Sequence, residues 1–178
     1  MTLLLNIFAI IFLLVVNIGF FGQLKLYGAL PNLLLLFVLI VALDKDIKNG
    51  YLYLALLAGL LLDVHAGVLF GSFSFGLLIL ALCLSSLAEA VVVIPSKWEY
   101  LGLVVLAATF LLHFFVWLYA YGAFRLGWVS LPLAAPFFSS RLLVEAAYNL
   151  ACLYPVLRLF TWLKQMEYKY FLKYKTVR

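Results

Sequence analysis

The sequence predicts an all-α polytopic membrane protein: six transmembrane helices in one bundle, a single domain over residues 1–178, both termini on the same side. Three observations carry that prediction. Of the 178 residues 69% are hydrophobic and only 11% charged, against roughly a quarter charged in a soluble domain. The mean hydropathy of +1.21 runs along most of the length, so the apolar excess is too large for one water-shielded core and must face lipid. The apolar runs are unbroken rather than alternating, which excludes a transmembrane β-barrel.

The first run, 3–21, has no basic residue before it and no small-x-small site after it, so it reads as a membrane helix and not as a cleaved signal peptide. The second and third runs, 30–43 and 51–64, are short. At 1.5 Å per residue each gives about 21 Å, against about 30 Å of hydrocarbon. Either their ends extend into Gly28 to Asn32 and Asp63 to Gly67, or neighbouring helices shield them from lipid. Extension is the expectation preferred here. Treating one short run as re-entrant would give five spans instead of six. Between them Asp44-Lys-Asp-Ile-Lys-Asn-Gly50 is too charged for burial and reads as a turn in water. The runs 68–87, 101–121 and 142–163 complete the set. From Trp162 onward lysines and aromatics alternate, which suits an interfacial helix binding anionic lipid or a cytoplasmic partner, with 164–178 as a basic tail.

The formal charge of +5 arises from 12 Lys and Arg against 7 Asp and Glu. Six of the basic residues follow Leu157, so the charge is topological and no nucleic acid is expected as a partner. With six spans, one side holds Lys45, Lys48, Lys97 and the tail, and the other only Lys25, Arg125 and Arg141. The positive-inside rule then places both termini in the cytoplasm. Cys83 and Cys152 sit in apolar runs as small hydrophobes. No internal repeat supports an inverted-repeat transporter.

There is no Gly-rich phosphate loop, HExxH, CxxC or Gly-x-Ser-x-Gly segment, so no catalytic, metal or cofactor residue is expected and the chain does not read as an enzyme. Attention falls on polar groups at membrane depth, which are costly there. Asp63 ends the third run, where it can accept backbone N–H bonds and cap the next helix; with His65 it could instead hold a cation or exchange protons. His113 could pair with Asp63 or Glu145 in a proton relay, or simply hydrogen-bond across a helix interface. Arg141, Glu145 and Asn149 recur every fourth residue, so Arg141 and Glu145 are expected to pair near the outer interface. Gly59, Gly67, Gly71 and Gly76 would let the third and fourth helices approach closely.

The segment from Pro31 to Gly76, with Pro31-Asn32-Leu-Leu-Leu-Leu, the charged hairpin, Gly59-Leu-Leu-Leu-Asp63 and then Gly71, resembles the rod shape-determining protein MreD family. It departs from that family at Asn32, where Asp is frequent, and in lacking a proline before Gly71. The resemblance implies a non-enzymatic adaptor in the bacterial inner membrane that binds the anchor helix of MreC. It would support rod shape and peptidoglycan synthesis alongside MreB, RodA and a penicillin-binding transpeptidase, with Pro31, Asn32, Gly59, Asp63, Gly67 and Gly71 shaping the helix-packing or partner-contact region. The family fold is similar to the substrate-binding S components of energy-coupling-factor transporters. That similarity supplies the alternative, a vitamin-binding protein with an outward pocket lined by Asp63, His65, Trp117 and Tyr121.

Overall fold

The computed structural model describes residues 2–25, 27–44, 50–67, 69–90, 98–129 and 140–169. Six α-helices follow in order: α1 (Thr2–Gly19), α2 (Leu33–Leu43), α3 (Gly50–Ala66), α4 (Ser72–Ala90), α5 (Trp98–Arg125) and α6 (Ser140–Glu167), with one 3-10 turn at Phe21–Gln23. No strand occurs among the described residues. The turn residues 45–49, together with Val68, Lys97 and 170–178, lie outside them.

Three helical stretches, Leu3–Gln23, Tyr100–Arg125 and Ser140–Glu167, are long and apolar enough to cross a membrane, whereas α2, α3 and most of α4 are shorter apolar helices. The last turns of α6 run through Trp162 to Glu167, so the start of the basic tail continues the sixth helix and does not begin a separate one.

The second helix corrects the preferred expectation. It does not extend into Gly28 to Asn32: Tyr27 and Gly28 have φ of +50° and +74°, in the left-handed region that helix cannot use. Asn32 instead caps α2, its Oδ1 accepting the Leu35 N–H at 3.0 Å. With 11 residues, α2 is only about 16 Å long. Shielding solves the shortfall, because Leu33 through Ala42 are all buried and α2 touches each of the other five helices. Phe37 meets Phe160 of α6 edge to face, with centroids 6.2 Å apart. The third helix does extend as expected, through Asp63 to Ala66.

The remaining helices enclose α2 in chain order, α3 on α4, α4 on α5 and α5 on α6, with α1 against α3 and α6. Side-chain ties define two ends. At one end Lys164 of α6 pairs with Asp44 just past α2, and Ser85 of α4 donates to Tyr51 of α3 at 2.8 Å. At the other, Tyr119 of α5 donates to the Phe70 carbonyl at 3.2 Å, and Tyr148 of α6 to the Leu24 carbonyl at 2.9 Å.

Candidate functional site

Polar side chains buried among the helices form two groups. The first is the joint between α3 and α4. Helix α4 begins at Ser72, so Gly71 occupies the capping position, with φ of +95°. That conformation suits glycine, and glycine has no side chain with which to cap. Asp63, one of the last residues of α3 and 2% exposed, supplies the missing group. Its Oδ2 accepts the Gly71 N–H at 3.0 Å, the Ser74 N–H at 3.3 Å and the Ser74 hydroxyl at 2.7 Å. Its Oδ1 accepts the Phe73 N–H at 2.8 Å and the Ser72 hydroxyl at 3.2 Å. A carboxylate offers about four lone-pair sites, so five donors saturate it. Three otherwise orphaned amides at the start of α4 are satisfied, and the negative charge faces the positive end of that helix.

Close packing completes the joint. A Cβ on Gly59 would lie 2.7 Å from the Ser74 backbone nitrogen, so α3 and α4 meet backbone to backbone there. The other glycines do different work from that expected. Gly67 (φ +62°) and Gly71 shape the connection between the two helices, and Gly76 faces Leu112 of α5 and not α3.

The second group is a ladder between α5 and α6, with Asn32 at its side. Asn149, 0% exposed, accepts the Asn32 N–H through Oδ1 at 2.7 Å and donates from Nδ2 to Thr109 at 3.0 Å. Thr109 donates in turn to the Val105 carbonyl at 2.8 Å. One turn along both helices, His113 Nε2 lies 3.0 Å from Glu145 Oε2. The rungs 109–149 and 113–145 share one register because α5 and α6 are antiparallel with fourfold spacing on each. The upper rung is the wetter one, with side-chain exposures of 30% for His113 and 9% for Glu145.

Placement of the expected residues follows from these groups. Glu145 meets His113 and not Arg141, which stands exposed in the first turn of α6; the His ring reaches the buried carboxylate directly, while Arg141 begins the helix on the exposed side. Asp63 is separated from His113, each held by its own partners. His65 is exposed in the last turn of α3. Two residues on a helix are about 200° apart, so Asp63 and His65 do not converge on one ligand. Trp117 and Tyr121 stack on each other at 5.4 Å and 12°. Pro31, Asn32, Gly59 and Asp63 are buried within the bundle. No group of three metal-ligating side chains occurs among the described residues.

Ser72, Ser74 and Thr109 were not singled out from the sequence. The Ser-x-Ser pair directly after Gly71 is a legible helix-start signal, since serine hydroxyls favour that position. Thr109 gave no signal, because a threonine that bonds its own helix carbonyl looks like any other residue in an apolar run. Comparison with known protein families, with curated proteins and with solved structures finds no match to this chain.

Proposed function

We propose that this chain is a non-enzymatic adaptor of the bacterial cytoplasmic membrane, with six membrane-embedded helices and both termini cytoplasmic, that binds the anchor helix of MreC and through it supports the cell-elongation and peptidoglycan-synthesis machinery of MreB, RodA and a penicillin-binding transpeptidase. The observation that carries this reading is the saturation of Asp63. The residues behind the resemblance act inside the fold: Asn32 ties α2 to α6, Gly59 seats α3 on α4, and Asp63 with Gly71 fastens their joint. What is left for recognition is apolar and outward, including Leu4, Phe8 and Val15 on α1 and Leu103, Leu111 and Leu118 on α5. Faces of that kind associate with another helix through van der Waals packing.

The carrier alternative needs Asp63 and His65 to meet a ligand. The first has no acceptor site to spare and the second points elsewhere.

The test is affinity capture from membranes co-expressing this chain with MreC of the same organism and an unrelated single-span protein. MreC is expected to co-purify in mild detergent and to be lost when its transmembrane helix is deleted. Absence of MreC despite good expression of both would overturn the adaptor. A tightly retained vitamin-like compound, seen by mass spectrometry, would replace it with the carrier.

A further inference from the structure

Helix α6 carries an exposed stripe on one side. Leu143, Ala147, Ala151, Tyr154, Arg158 and Trp162 are all exposed and recur every three or four residues, so they lie along one face. The opposite face, including Leu142, Asn149, Leu153, Val156 and Phe160, is buried against the bundle. Five members of the stripe suit lipid, and Arg158 does not. Its side chain has no ion pair or hydrogen bond among the described residues.

Depth makes the arginine more unusual. Lys164, six residues further on, pairs with Asp44 beside the charged turn, which marks the polar boundary at that end of the bundle. Arg158 lies about 9 Å inside that mark. Toward the other end, Arg141 is 17 residues away, about 26 Å, which is less than the roughly 30 Å of hydrocarbon. The two exposed arginines of α6 are therefore too close together for both backbones to reach the headgroups. A guanidinium left in hydrocarbon is costly, and its long apolar stem lets it reach toward the nearer interface. The nearer interface is the one marked by Lys164.

We propose that Arg158 and Trp162 form a binding site for the headgroup of an anionic phospholipid in the leaflet at the Asp44 end. The planar guanidinium takes the phosphate through two N–H donors. The Trp162 indole, one turn on, stands at headgroup level with its N–H available to an oxygen. Ala151 and Tyr154 line the path of an acyl chain. A lipid phosphate fits better than an acidic residue of another helix, because the acidic side chain would itself be stranded in hydrocarbon whenever the helices part. The site is independent of the adaptor reading.

The experiment is native mass spectrometry of the full-length protein after exchange into mixed micelles holding equal phosphatidylglycerol and phosphatidylcholine. A basic residue near an anionic surface is worth about a fivefold preference. The wild type is expected to retain phosphatidylglycerol over phosphatidylcholine, Arg158→Gln to lower that preference by about this factor, and Arg158→Lys, which keeps the charge without the fork, to lie between. Trp162→Phe should weaken the preference less than Arg158→Gln. Elution as a single species on size exclusion checks the fold of each variant; were Arg158→Gln to aggregate, the Lys and Phe variants carry the test. No preference in the wild type would overturn the site, and so would a preference left unchanged by Arg158→Gln. Loss on Lys169→Gln but not on Arg158→Gln would also overturn it.

Discussion

The α3–α4 joint and the α5–α6 ladder are both buried polar groups in an apolar bundle, and they are built on opposite plans. In the joint, one carboxylate collects five donors from residues eight to eleven positions along the chain. In the ladder, each rung is a single bond, and the residues joined are 32, 40 and 117 positions apart. The joint is therefore a local device, formed as soon as its hairpin forms. The ladder registers helices against one another after the chain has come together. Redundancy is the other difference: a joint with five donors on one anion tolerates the loss of any one donor, but it fails entirely if the anion is removed.

The most damaging way to break the joint is steric. Gly59→Leu puts a side chain where the Ser74 backbone already stands, and it is expected to abolish recovery of monodisperse protein on size exclusion in mild detergent. Next comes Asp63→Ala. It strands three amides and two hydroxyls in the interior, and leaving a buried group unsatisfied costs about 1–3 kcal/mol each before relaxation and water entry reduce the sum. A loss of about 3–5 kcal/mol is expected in denaturing-detergent unfolding, with Asp63→Asn losing less because it keeps one acceptor. A loss under about 1 kcal/mol, a typical single hydrogen bond, would contradict the assignment of Asp63 as the cap of α4.

The ladder should yield less. Asn149→Ala removes two bonds and leaves the Asn32 N–H unpaired, for an expected loss of about 1–3 kcal/mol in the same assay. The smallest effect belongs to the wetter rung: His113→Gln, which keeps an N–H donor for the buried Glu145 carboxylate, is expected to cost about 0.5–1 kcal/mol, the usual worth of one interhelical bond in a membrane protein. Were His113→Gln to cost more than Asn149→Ala, the order of burial along the ladder would not govern its energetics.

The same division explains what could be read from the sequence. The six apolar runs appear as six helices, and capping by Asp63 was one of two uses foreseen for it, since cap, glycine and helix start lie within a dozen residues. The extension of α3 was legible for the same reason. The enclosure of α2 was not, because 11 apolar residues look alike whether lipid or protein surrounds them, and only neighbours from distant parts of the chain decide between the two. Glu145 had two candidate partners in the sequence, Arg141 four residues away on its own helix and His113 across the interface, and the rotation of the two helices, which spacing along one helix does not give, decides for His113. The Lys164–Asp44 pair, joining the ends of α6 and α2, had no signal in either segment alone.

A central helix finished by its distant neighbours also has a history. The Asn32 amide waits for an acceptor that lies 117 residues later. At a synthesis rate of about 5–20 residues per second, that interval is about 6–23 s. For most of it α2 is an 11-residue segment too short to cross a bilayer, with α1 made before it and α6 still to come. Of its neighbours made after it, α3 comes first and α6 latest. The sixth helix thus closes the compartment in which the second one lives.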